Sequence, residues 1–314
     1  MGVAVAGQAF KVYMIYKYTP VYMSSLKKVM YINAIFQTVH AIVCWLMQFR
    51  QISNMTPMEI WSYGYGQYFP PWIGYCFYHV SQSMTFGNGT MVMITLFLKT
   101  EAARVLFLRT IIRVLIISAI TTPMILSMTM EVILITTRAF PSEMQEHYRQ
   151  LNMNASGYTI VGVVDMSQWP SGANLGIMIG TVLALPILGV LSYRSVRSHV
   201  NKTADRISAT KQAQNKLFIM GLVIQTFLPL LCYCPISCVY LVISFFTHSE
   251  FLFQQFFMFT FPAFPALLDP GLTIWFTKPY RDALKRWYTK KKVSPITMTV
   301  MPQSAGNTNS HPLG

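Results

Sequence analysis

Long apolar runs bounded by basic residues constrain this chain more than any single motif. Segments 30–47, 72–98, 111–136, 175–193, 217–246 and 251–277 are almost free of charge. Each is long enough for a helix that crosses a bilayer, which takes about 20 residues. Only 11% of the 314 residues are charged and 53% are hydrophobic, with a mean hydropathy of +0.42. A soluble domain carries about 25% charged residues. The expected fold class is therefore an all-α membrane protein. It forms one domain over residues 1–290, followed by a Ser/Thr/Asn/Pro-rich tail, 291–314, expected to be disordered and cytoplasmic.

Residues 1–16 are mildly apolar and interrupted by Gln8 and Lys11. At 1.5 Å per residue they reach about 24 Å, short of a hydrocarbon core near 30 Å. They are expected to form a truncated first span. Six full spans and this segment make seven crossings, a seven-transmembrane helix bundle.

Basic residues set the orientation. Lys17, Lys27 and Lys28 form one cluster, Lys99, Arg104, Arg109 and Arg113 the next. Arg194, Arg197, Lys202, Arg206, Lys211 and Lys216 form the third, and Lys278, Arg281, Lys285, Arg286 and Lys290 to Lys292 the last. The opposite connections hold only Arg50, Arg138 and Arg149. Cytoplasmic connections are enriched in Lys and Arg, which puts the C-terminus inside and segment 138–174 outside. The net charge of +14 does not mark a nucleic-acid binder, because the cations sit in short clusters between apolar runs. The sequons at Asn54 and Asn154 both fall on the expected outer side.

The five cysteines lie in or beside apolar runs and suggest neither a disulfide framework nor a zinc site. No metal or cofactor is expected. His40 and His79 have no carboxylate or cysteine at matching spacing, and no pair of acids suits a membrane protease, so the chain does not read as an enzyme.

Polar residues inside the spans carry the functional reading. Tyr75, His79 and Gln82 share one helix face. With Tyr233 and Tyr240 from segment 217–246 they are expected to line a ligand pocket; the competing reading is interhelical hydrogen bonding with no ligand role. Gly87 and Gly89 are expected to allow close helix approach. The last span contains Pro262, Pro265 and Pro270 and one acid, Asp269. Proline lacks an N–H, so Pro270 leaves the carbonyl of Ala266 without its helical donor. Asp269 and Pro270 are expected to form a polar hinge, the switch of the bundle. Its hydrogen bonds are expected to survive Asp269→Asn. Segment 278–288 places Tyr280, Ala283, Leu284, Trp287 and Tyr288 on one face and Arg281, Lys285 and Arg286 off it, a helix suited to lie on the inner leaflet.

Three stretches resemble a known family. YKYTPVYMSSLKKVMYINAIF (16–36) is similar to a first internal loop and second span, and KQAQNKLFIMGLVIQTFLPLLCYCP (211–235) to the entry of a sixth span with Gln225, Leu228 and Pro229. LLDPGLTIWFTKPYRDAL (267–284) resembles a seventh-span exit running into a short eighth helix. Together they resemble the nematode serpentine chemoreceptors of the Srd class, G-protein-coupled receptors. The resemblance implies a small-molecule ligand, a heterotrimeric G protein met by Lys99, Arg104, Arg206 and Arg281, and a plasma-membrane location in sensory cilia. A transporter or channel is the alternative, but it predicts internal repeats or a charged path, and no repeat is visible.

The topology yields a direct expectation. A cysteine placed at position 202 labels with a membrane-impermeant reagent only after permeabilisation. The double change Asn54→Gln/Asn154→Gln removes the glycan mobility shift.

Overall fold

In a computed structural model the described residues are 2–52, 58–103, 109–137, 159–164, 168–202 and 259–289, with short pieces between 220 and 255. Helix α1 is Gly2–Tyr18 and α2 is Ser24–Met47. Strands β1, Phe49–Ile52, and β2, Met58–Ser62, lead into α3, Pro71–Ala103. Then come α4, Thr110–Thr137, strand β3, Thr159–Val164, and α5, Trp169–Lys202. The described chain closes with α6, Phe264–Phe276, and α7, Lys278–Thr289.

Three of these helices are long and apolar enough to cross a membrane: Ser24–Met47, Thr110–Thr137 and 169–199. On α4, Ile111, Leu115, Ile125 and Val132 stand exposed. An exposed surface this rich in aliphatic side chains suits lipid, not water. Threonines on that helix donate back to carbonyls one turn earlier, Thr122 to Ser118 at 2.8 Å and Thr129 to Ile125 at 2.8 Å. Their hydroxyls are satisfied without solvent, as a bilayer requires.

Two segments expected as loops contain strands instead. The stretch between α2 and α3 forms the β1–β2 hairpin, and β3 from the long acidic connection pairs with β2. The signal was short: Ile160, Val161, Val163 and Val164 are β-branched, but six residues are too few to stand out from a loop. Gln48 closes α2 in the left-handed region at φ 46°, and its N–H bonds Cys44. That turn directs the chain straight into β1.

The sheet is fastened across one end of the bundle. Between Ile60 and Trp61 the β2–β3 register shifts, so that Val161 is an extra residue. Such a bulge re-aims a side chain. Val161 is fully buried with Met47, Phe49, Ile60, Tyr78 and Phe259. Arg50 extends this anchorage, donating to Gln255 at 2.9 and 2.6 Å and to Tyr63 at 2.9 Å. At the opposite end Met14, Ile15, Leu26, Met30, Ile274, Tyr280 and Ala283 form a second core. Met91, Ile94 and Leu98 join α3 to α4.

The expected stub at the N-terminus is α1, a helix of 17 residues packed on α2 and α6. Gln8 and Lys11, which interrupted its apolar pattern, are buried. The six-span count cannot be followed through segment 203–258, most of which lies outside the described residues, as does the tail 291–314.

Two of the three glycines of α3, Gly87 and Gly89, differ. A Cβ at Gly87 would sit 2.6 Å from the Phe36 ring, whereas Gly89 has nothing within 4 Å. Gly87→Ala therefore destabilises the folded protein by about 1–3 kcal/mol through overpacking. Gly89→Ala is neutral or stabilises by up to about 1 kcal/mol through helix propensity. Thermal unfolding of the two variants in detergent checks the opposite signs.

Candidate functional site

Two polar clusters lie inside the apolar packing, and α3 takes part in both. The first joins α1, α2 and α6. Lys11 Nζ on α1 forms an ion pair with Asp269 on α6, their side chains 1% and 13% exposed. Asn33 Nδ2 donates to the same carboxylate oxygen at 3.5 Å, and Thr273 to the other at 3.2 Å. One turn before Lys11, Gln8 donates to Gln37 at 2.6 Å and to the backbone carbonyl of Ala266 at 2.7 Å. That carbonyl is the one Pro270 deprives of a helical donor. Pro270 is buried, and a Cβ at Gly7 would lie 3.4 Å from its ring. Lys99 on α3 is partly buried, within Coulombic reach of Asp269 and Lys11.

The second cluster lies under the sheet and joins α3, α4 and α5. His79 Nδ1 meets Glu131 Oε2, both side chains nearly inaccessible. Asn174 Nδ2 donates to Glu131 Oε1 at 2.5 Å. Ser127 donates to Asn174 Oδ1 at 2.6 Å and so orients the amide with its N–H toward the carboxylate. The Tyr75 and Tyr78 rings stand edge-on to the imidazole, at 4.4 and 5.1 Å between centroids. Tyr75 donates to the Leu134 carbonyl at 3.4 Å and packs directly under Gly162 of β3.

Of the residues the sequence singled out, Tyr75 and His79 are thus brought together, and Gln82 is partly buried on the same helix. Asp269 and Pro270 sit at the α1–α6 contact. Lys99, expected to meet a cytoplasmic partner, is partly buried on α3 and within Coulombic reach of Asp269 and Lys11. Arg281 donates to the Trp275 carbonyl at 3.5 Å. Tyr233, Tyr240, Arg104, Arg206, Asn54 and Asn154 lie outside the described residues.

Helix α7 packs through the expected face, with one exception. Tyr280 and Ala283 are buried and Trp287 lies against Phe10, Tyr13 and Tyr18, donating to Tyr18 at 3.0 Å. Tyr288 is 83% exposed. The hydroxyls of Tyr280 and Thr19 share a hydrogen bond of 2.6 Å.

The model of the serpentine type 7TM GPCR chemoreceptors of class Srd matches residues 2–286. The chain belongs to the Srd family. It is similar to serpentine receptor class delta-40 of Caenorhabditis elegans, 36% identical over 296 residues that cover 93% of this chain and 92% of the relative. Serpentine receptor class delta-47 of the same organism is 33% identical over 289 residues, 92% and 91% of the two chains. This Srd chain is an integral membrane protein of a chemoreceptor family.

Sequence reasoning missed Lys11, Gln8, Asn33, Gln37, Tyr78, Glu131 and Asn174. A signal existed: Gln8 and Lys11, and Asn33 and Gln37, stand one turn apart, so each pair marks one buried helix face. The ion pair is a physical reason to expect that Asn does not serve in place of Asp269. Removing one partner of a buried pair leaves an uncompensated charge, at about 3–5 kcal/mol. Asp269→Asn and Lys11→Met alone therefore each lower surface expression at least tenfold. The double variant recovers most of it, and surface staining of epitope-tagged receptor measures both.

Proposed function

We infer that this Srd chain is a chemosensory receptor that turns binding of a small molecule into activation of a heterotrimeric G protein. The observation that carries the reading is that α3 takes part in both buried clusters. Tyr75 and His79 belong to the cluster beneath the sheet, and Lys99, 20 residues on, approaches Asp269. Those positions are about 30 Å apart along the helix axis. A ligand that displaces α3 at His79 changes the field of Lys99 on the Lys11–Asp269 pair. Buried ion pairs exchange between discrete arrangements rather than deforming smoothly. Asp269 and Pro270 act as the switch.

In this reading the chain forms seven spans with α7 as the short helix after them, on the inner leaflet of the plasma membrane. The sheet end faces outside and the tail inside. Asn54 falls between β1 and β2, and Asn154 shortly before β3; pairing of those strands supports one common, outer side for both sequons. Tyr233, Tyr240 and Gln82 complete the ligand site. Arg104, Arg206 and Arg281 face the G protein, and family likeness favours sensory cilia.

Expression in a heterologous cell with a promiscuous G protein and a calcium reporter tests this. Stimulus-evoked calcium is expected, abolished by His79→Phe, with Lys99→Gln shifting the unstimulated level at equal surface expression. Evoked substrate or ion flux that persists when the G protein is omitted sinks the receptor reading in favour of a transporter or channel.

A further inference from the structure

The His79 imidazole has one nitrogen in use and one without a partner. Nδ1 is held by Glu131, and Nε2 is buried with no hydrogen-bond partner. An unpaired polar atom at membrane depth is costly. The surroundings do not relieve it: Tyr75 directs its hydroxyl to Leu134, and the rings beside the imidazole are apolar edges. Ser171 Oγ on α5 is also buried and unpartnered, one turn before the Asn174 that holds Glu131. Glu131, Asn174 and Ser127 form a relay that fixes the ring through Nδ1. Nε2 is the atom left over.

We propose that His79 Nε2 is the polar anchor of the ligand site, with the hydroxyl of a small neutral alcohol as its partner. This rests on the receptor reading above. The chemistry selects a hydroxyl for three reasons. With the proton of the ring on Nδ1, Nε2 is an acceptor; with both nitrogens protonated it is a donor. A hydroxyl serves both states, and a ketone or ether serves only the second. The Glu131 carboxylate already supplies the negative charge of the cluster, so a carboxylic acid ligand would set two anions together in a medium of low dielectric. Finally, the flanking Tyr75 and Tyr78 rings suit an apolar remainder. Glu131 and Asn174 are positioning residues that orient the anchor.

The probes are 1-hexanol, 2-hexanone, hexanoic acid, methyl pentyl ether and hexane, applied to the full chain in lipid nanodiscs with thermal unfolding as the readout. The alcohol is expected to bind wild type at least tenfold more tightly than the ketone, ether, acid or alkane. His79→Phe is expected to erase that preference and leave the alcohol equal to the ether. Glu131→Gln, which keeps one of the two hydrogen bonds the carboxylate makes and drops the charge, is expected to retain the order at reduced affinity. Equal binding of ketone and alcohol by wild type, preference for the acid, stabilisation by none of the probes, or a preference that survives His79→Phe each overturns the proposal. Should His79→Phe not fold, the alcohol-to-ether ratio on wild type decides by itself. The two readings fail separately. Alcohol binding in nanodiscs with no calcium response in cells sinks the receptor and keeps the site, whereas a calcium response to ketones or acids alone sinks the hydroxyl site and keeps the receptor.

Discussion

An ammonium and a carboxylate 258 positions apart in sequence meet inside the packing, the ammonium buried and the carboxylate largely so. Lys11 and Asp269 are each expensive in hydrocarbon, at least about 2.5–3.5 kcal/mol on insertion scales. Paired, they hold α1 against α6 in one rotation, because turning either helix would aim a charge at lipid. Gln8 and Lys11 occupy one face of α1, so the same rotation brings Gln8 to Gln37 and to the Ala266 carbonyl. The placement of α2 follows from those contacts, with Asn33 completing the shell around Asp269. A buried ion pair is weak evidence of net stability, since apolar residues of similar volume often serve as well. What it supplies here is register.

The same constraint builds the other cluster with different chemistry. Glu131 on α4 is matched by an imidazole and an amide, and the amide is itself oriented by Ser127. The sheet closes over this cluster. Gly162 allows β3 to lie against Tyr75, and the bulge at Val161 inserts its side chain where Gly74 leaves room, a Cβ there falling 2.5 Å from Val161 Cγ1. α3 lies beneath the sheet, against Glu131 and within Coulombic reach of the Lys11–Asp269 pair, and α2 likewise runs from the sheet-end core to that pair.

Hydropathy made the helices legible, since length and apolarity are properties of a segment alone. The runs 30–47 and 111–136 reappear inside Ser24–Met47 and Thr110–Thr137. Pairing was not legible for the opposite reason. Glu131 looked isolated because nothing in its own run answers it, and His79 lies 52 positions away. Gly87 and Gly89 are identical in sequence terms, yet only one faces Phe36. The strands escaped notice because four to six residues carry little period, and because β3 forms only by meeting a hairpin about 100 residues earlier. Tyr75 and His79 were found because two polar groups one turn apart in an apolar run must face inward, whichever partner awaits them.

The proline in α6 shows how a local defect becomes a coupling. Pro270 has no N–H, so the ladder of α6 lacks one bond at Ala266, and a helix so interrupted bends easily at that turn. Sequence alone places the gap but not what fills it. The filler is Gln8 of α1, whose amide nitrogen bonds Ala266 and Gln37 together. Three helices therefore share one amide group. If α6 bends at Pro270, the Ala266 carbonyl leaves Gln8, and Asp269 in the same turn pulls on Lys11. The bend and the ion pair are then not independent: α6 moves with its α1 partners or loses both contacts together. Gln8 and Lys11 thus tie the turn around Pro270 to α1 at two points.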